Sequence, residues 1–380
     1  MGLFLRLMYV VPIEGVNFQF LMHGHSHVAM LGWVYLMLYC LIIHFFVPKE
    51  EQQKRIYNRL FWITEVAVIG MMIDFPAQGY AFVSILFSTL HIFCSYYFVR
   101  LILRDAKPST FPEKRMLRTS LFFMVFSTLG VWCLGPAVGL LGKASAFYQI
   151  AIQFFLHFQF NGWFLFAVLA LFFNQIKINI DEKSFRLCYI LFVIATVLTL
   201  ALPVSWYLSN PIFYWINVVG VLLQLIAMLL FIRIIKPQLK AFFTELSFLE
   251  KTVYRFALFS LLLKISIQLV VLVPDLAHVS HEIRNFVVGY IHLTMLGIIT
   301  GFLFGFVLQN NFVNKSAVSK FGINIFLLGF VATEVLLFLQ GIWLYLNKGT
   351  FPNYYLNLFL ASTVLPVGLI FVLASLFKKT

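Results

Sequence analysis

Eleven long apolar stretches constrain the fold of this chain more than any other feature. Each is long enough to cross about 30 Å of hydrocarbon as a helix of roughly 20 residues. They begin near Phe18, Phe61, Tyr80, Leu117, Phe147, Leu187, Phe213, Phe256, Phe286, Ile323 and Leu356. Only 11% of the 380 residues are charged, against about 25% in soluble domains. The sequence therefore predicts an all-α integral membrane protein with about 11–12 transmembrane helices. Residues 3–12 are too short to span and are a candidate interfacial helix.

The positions of Lys and Arg predict how the helices are oriented. Alternate loops contain 22 of the 27 basic residues, including Lys177, Lys378 and Lys379, whereas Lys264 falls inside an apolar stretch. Because cytoplasmic loops carry the excess of Lys and Arg, we expect the N-terminus outside and the C-terminus in the cytoplasm. The formal net charge of +13 is then a topology signal, and no nucleic-acid partner is expected. Membrane lipid surrounds the chain, and a bacterial inner membrane is the expected location.

A short unit recurs along the chain: a histidine, four residues and a glycine. It starts at His27, His157 and His292, which are 130 and 135 residues apart. The three units fall on the first, fifth and ninth predicted helices, so the period is four helices. We therefore expect one polytopic domain, residues 1–380, with three arcs of four helices related by a pseudo-threefold axis. The arcs cover about residues 18–141, 144–272 and 283–377.

The repeated unit places three imidazoles at a similar depth, because the odd-numbered helices all run in the same direction. A glycine five residues after a histidine lies about 140° around an α-helix and leaves room for a flat or bulky group to approach. Three inward-pointing imidazoles from three arcs are placed to meet a large cofactor. The alternative is that each histidine donates a hydrogen bond to a neighbouring helix.

Two of these motifs extend to a longer pattern. His27 is followed 21 residues later by Pro48, and His292 stands in Tyr290-Ile-His292 with a glycine five residues on. In these motifs the chain resembles the haem–copper oxidase superfamily, in particular the catalytic subunit of nitric-oxide reductase, and it is similar in plan to the NnrS family. That superfamily has twelve helices in three arcs, with ligand histidines on helices II, VI and X. The resemblance requires the family's first helix to be missing or reduced to residues 3–12.

The resemblance implies a cofactor and a role. His27 and His292 match the two axial ligands of the family's low-spin haem, which implies a six-coordinate haem b suited to electron transfer. The implied role is in respiratory or nitric-oxide-related metabolism, as an electron carrier, a haem-dependent sensor or an assembly factor. Electrons would come from quinol or from a cytochrome partner subunit.

The departures from the family pattern concern its second metal centre. Tyr290 replaces the histidine that would bind the high-spin haem, and Asn161 replaces a glutamate beside His157, the one non-haem metal ligand retained. No histidine occurs between residues 159 and 277, so the non-haem metal site is incomplete. The sequence leaves enzyme activity open. Because tyrosine can ligate haem iron, one alternative is a divergent terminal oxidase or nitric-oxide reductase with a second haem between Tyr290 and His157.

Four further histidines are candidate ligands for a copper or zinc ion near the outer ends of the helices. They are His23, His25, His278 and His281. Alternatively they hydrogen-bond haem propionates, or they are solvated histidines at helix starts.

Charges within the apolar stretches support a competing function. Glu65, Lys264 and Glu334 lie where an isolated charge costs at least about 2.5 kcal/mol. We expect Lys264 to pair with a carboxylate, and the functional alternative is a proton route. The competing hypothesis is therefore a proton-coupled or metal transporter.

Overall fold

The computed structural model describes residues 1–176 and 181–377, and within these ranges the secondary structure is helical, with no strand. Eleven helices are long and apolar enough to cross a membrane, and we number them span 1 to span 11. In chain order they are Phe18–Phe46, Arg55–Gln78, Phe82–Asp105, Phe111–Leu141, Ala146–Ile176, Glu182–Ser205, Pro211–Glu245, Phe248–Val270, Arg284–Gln309, Ala317–Tyr345 and Tyr354–Phe377. The predicted all-α membrane protein is confirmed at this level. Three short helices, Gly2–Leu7, Lys49–Gln52 and Pro274–Glu282, lie outside the spans.

Polar residues fix where several spans begin. The side chains of Asn17, Ser145 and Ser247 accept hydrogen bonds from backbone N–H groups in the first turns of spans 1, 5 and 8. Such caps satisfy donors that have no partner within the helix. Spans 2 and 4 begin at Arg55 and Phe111, earlier than the hydropathy predicts, because long basic side chains in a first turn can reach water.

Spans 5 and 9 are the most enclosed helices of the bundle. In their most apolar windows 83% and 78% of the residues are buried, against 50% or less in every other span. Span 1 contacts both, because Tyr35 lies 6.2 Å from Trp163 between ring centroids and Trp33 reaches Thr300. The three helices that carry the repeated unit therefore meet at the centre.

We call the end of the bundle at which spans 1, 5 and 9 begin the start face, and the other end the opposite face. The N-terminal helix Gly2–Leu7 packs against spans 1 and 11 at the start face. Lys177, Lys378 and Lys379, which contribute to the predicted orientation, lie outside the described residues.

Candidate functional site

A π-helical segment follows each of the three repeated histidines. The segments Val28–Val34, Phe158–Phe164 and Leu293–Thr300 begin one residue after His27, His157 and His292, respectively. The π-helix is rare, and where it interrupts an α-helix it frequently marks a functional site. The repeat found in the sequence is thus also a repeat in backbone structure.

The glycines of the repeat admit side chains of neighbouring helices. A Cβ atom at Gly32 would lie 2.9 Å from Val68, and one at Gly162 would lie 2.6 Å from Phe123. A Cβ atom at Gly297 would lie 2.9 Å from the Ser260 side chain. The space that we expected to receive a cofactor is therefore occupied by spans 2, 4 and 8.

Spans 1 and 9 are bridged near their middles by one hydrogen bond. The indole Nε1 of Trp33 donates to the hydroxyl of Thr300 at 3.1 Å. We call the part of spans 1 and 9 between this bond and the start face the span 1–9 site. Trp33 keeps 39% of its surface exposed, and the His292 side chain keeps 24% although its helix is among the most buried.

His25 and His292 both belong to the span 1–9 site. His25 is eight residues before Trp33, and His292 is eight residues before Thr300, the two residues joined by the hydrogen bond. His25 is also close enough to His292 to influence it electrostatically. The His25 ring also packs against Gly2 of the N-terminal helix, where an added Cβ would lie 2.9 Å from the ring.

His27 faces a different part of the bundle. Its ring stacks on Phe75 of span 2 with centroids 4.1 Å apart, and Tyr80 lies edge-on at 5.8 Å. Its Nδ1 lies 2.8 Å from the His23 carbonyl oxygen, which leaves Nε2 available. The structure therefore brings His25, rather than His27, towards His292.

Two charged residues adjoin His292. Its Nδ1 lies 3.9 Å from a carboxylate oxygen of Glu334, and both Glu334 oxygens are buried without a hydrogen-bond partner in the described part of the chain. Arg6 influences both residues. Burial lowers the pKa of the Arg6 guanidinium, and the neighbouring Tyr354 and Glu334 oppose that shift. We had not identified Arg6 from the sequence, although it is the only basic residue before span 1.

A second buried polar group joins spans 5, 8 and 9. Lys264 is fully buried, and its Nζ lies 5.3 Å from the centroid of the Tyr290 ring. The expected carboxylate partner is not found among the described residues, and Nζ donates instead to Gln268 at 3.2 Å. His157 lies within electrostatic range of Lys264. The structure thus places both His157 and Tyr290 near Lys264, a lysine that the sequence did not associate with them.

The ring nitrogens of His157 already have partners. Nε2 lies 2.7 Å from the carbonyl oxygen of Thr196 on span 6, and Nδ1 lies 3.4 Å from the Asn161 amide. This arrangement matches the alternative in which the histidine donates to a neighbouring helix.

The other candidate metal ligands do not converge. His23 packs edge-on against Tyr80 at 4.7 Å, and His278 lies 3.4 Å from Glu282. His281 stacks on Trp206 at 4.7 Å. No group of three or more His, Cys, Asp or Glu side chains in residues 1–176 and 181–377 is arranged to hold a metal ion.

No family model matches the chain, and no curated protein matches it.

Proposed function

We propose that this protein binds haem b within its bundle and transfers electrons in the membrane, with the fold of the haem–copper oxidase superfamily. The observation that carries the proposal is the proximity of His25 on span 1 to His292 on span 9, which lie within electrostatic range of each other. Imidazoles from two neighbouring spans are a suitable pair of axial ligands for a flat macrocycle. The three π-helical segments after the repeated histidines support the three-arc plan of that superfamily.

The surroundings of His292 suit a ligand to iron. Its Nδ1 faces Glu334, which leaves Nε2 for the metal, and a carboxylate near the second nitrogen orients a ligating imidazole and raises its basicity. Arg6 supplies a positive charge near His292 and would pair with the carboxylates of a haem. A low-spin haem held by two histidines supplies one-electron transfer.

Two histidines of span 1 are candidates for the second axial position. The sequence pattern assigns His27, whose Nδ1 lies 2.8 Å from a backbone carbonyl oxygen, as is common for ligating histidines. The geometry favours His25, because His27 is turned towards Phe75. We therefore propose His25 and His292 as the pair, with His27 as the alternative to be tested beside it.

The arcs would be arranged around the pseudo-threefold axis of spans 1, 5 and 9, with the start face outside a bacterial inner membrane. Quinol or a cytochrome partner subunit would deliver the electrons.

A second haem between Tyr290 and His157 has less support, because both ring nitrogens of His157 already face polar partners. Binding of a copper or zinc ion near the start face would require the candidate histidines to move closer to one another.

Reduced-minus-oxidised spectra of the detergent-purified protein, with pyridine haemochrome quantification, test the proposal. We expect one haem b per chain and no change with carbon monoxide. His292→Ala and His25→Ala should each lose the low-spin spectrum, whereas His44→Ala, at an exposed position near the opposite face, should retain it. Loss in His27→Ala but not in His25→Ala would restore the His27 assignment. Absence of haem after haem-replete expression would refute the proposal.

A proton-coupled transporter is the second candidate, because Lys264 and Glu334 are buried without close ion pairing among the described residues. Buried ionisable groups in membrane spans commonly mark proton or ion pathways. That function predicts a colourless protein whose reconstituted vesicles move protons with a substrate. Proton movement abolished by Glu334→Gln in a haem-free protein would favour it.

A further inference from the structure

A basic groove lies at the opposite face of the bundle, between the end of span 3 and the start of span 4. Its volume is about 160 Å³. The lining includes three cations and an apolar wall: Lys107, Lys114 and Arg118, with Leu103, Leu117 and Leu121. Lys114 and Arg118 are four residues apart on span 4 and so lie on one side of that helix, one turn apart.

The positive charge of this groove is not neutralised by the acidic residues nearest in the chain. Asp105 accepts hydrogen bonds from Arg104, at 2.6 and 2.7 Å, and from the Tyr57 hydroxyl. Glu113 is buried and accepts from the Ser109 N–H and the Thr110 hydroxyl. Both carboxylates are therefore committed to other partners.

The three cations themselves form no ion pair within the described ranges. Lys107, Lys114 and Arg118 are exposed, and all described pairs of Lys or Arg with a carboxylate involve other residues. A cluster of three like charges repels itself unless a counter-ion lies between them. The groove therefore favours an anion.

The position and the wall of the groove indicate which anion. The cations lie where two membrane spans end, which is the level of the lipid phosphates. Leu103, on the wall, is 54% exposed and faces outward from a membrane span. Basic pockets between transmembrane helices at the cytoplasmic boundary bind anionic lipid headgroups. A soluble anion would contact the three cations but would have no acyl chain to pack against the apolar wall.

We propose that this groove binds an anionic phospholipid, with its phosphodiester among Lys107, Lys114 and Arg118 and an acyl chain along the exposed Leu103. The site is independent of the proposed haem. It would fix one lipid molecule between spans 3 and 4, beyond the general contact that every membrane protein makes with the bilayer.

Native mass spectrometry of the full-length protein, released from detergent after incubation with phosphatidylglycerol or phosphatidylcholine, tests this. We expect phosphatidylglycerol to remain bound and phosphatidylcholine to be lost. The variant Lys107→Gln/Lys114→Gln/Arg118→Gln should bind phosphatidylglycerol roughly tenfold more weakly or worse, since each basic side chain near an anionic lipid contributes. The matched control Lys49→Gln/Lys236→Gln/Lys240→Gln removes three exposed charges elsewhere near the same face and should bind like wild type.

Three results would overturn the proposal. These are equal retention of both lipids, unchanged binding in the groove variant, and displacement of phosphatidylglycerol by millimolar inorganic phosphate, which would indicate a simple anion site. If the triple variant is not monodisperse, Lys114→Gln and Arg118→Gln are measured singly, and each should weaken binding while leaving the melting temperature unchanged.

Discussion

Trp33 of span 1 donates a hydrogen bond to Thr300 of span 9 at 3.1 Å. Both residues belong to the π-helical segments that follow a repeated histidine, so two of the repeated units are joined directly. His25 and His292 lie eight residues before Trp33 and Thr300, respectively.

Trp33→Phe should lower the free energy of unfolding by about 0.5–1.5 kcal/mol, because it removes the donor and leaves the Thr300 hydroxyl without this partner. Thermal unfolding in detergent measures the change. Trp62→Phe, at a 58% exposed position on span 2, is the control and should change little. A double variant with Thr300→Val that is as stable as Trp33→Phe alone would confirm that the two residues act together, whereas additive losses would contradict it.

Gly162→Ala should destabilise the bundle by about 1–3 kcal/mol, because its Cβ would lie 2.6 Å from two atoms at the base of the Phe123 side chain and overpack the core. Gly135→Ala is the matched control, since a Cβ there meets nothing within 4 Å. That control should keep or slightly raise the stability. Melting temperatures of the two variants in the same detergent measure the difference in stability. Equal values would show that Phe123 can shift to accommodate a Cβ at Gly162 without loss of stability.

Lys264→Met should raise the stability of the protein by on the order of 1 kcal/mol or more. The lysine is fully buried and donates to Gln268, and it forms no ion pair with a carboxylate among the described residues. A buried charge without a counter-charge costs several kcal/mol. Methionine fills a similar volume. Denaturant or thermal unfolding of the two proteins gives the difference. A clear loss of stability would mean that the amine has a partner on which the fold depends.

His281 should make the protein less stable in acid. Partial burial is the main reason that its pKa lies below the usual value of 6.5, and Glu282 opposes the shift. Because the unfolded chain binds the proton first, the stability is complete above about pH 6.5 and falls as the pH drops through the lower folded pKa. Melting temperatures between pH 7.5 and 5 should therefore decline less in His281→Gln than in wild type, and parallel curves would argue against a contribution from this residue.

The sequence by itself determined the membrane class, the eleven spans and the repeated histidine–glycine unit. The hydropathy of a segment depends only on its own residues, and a membrane span must be sufficiently apolar whichever helices it packs against. The spans can therefore be located from the sequence. The repeat at His27, His157 and His292 was visible for the same reason, because it is a local pattern.

Only the tertiary structure decided which side of each helix faces which neighbour. The resemblance pairs His27 with His292, whereas the structure stacks the His27 ring on Phe75 and brings His25 within electrostatic range of His292. The rotation of span 1 is then set by packing of Phe75 on His27 and by the Trp33–Thr300 bond. The approach of Arg6 to Glu334, and of Lys264 to Tyr290, likewise joins residues far apart in the chain. Such contacts arise from side chains packing between helices, which the local pattern of a single helix does not specify.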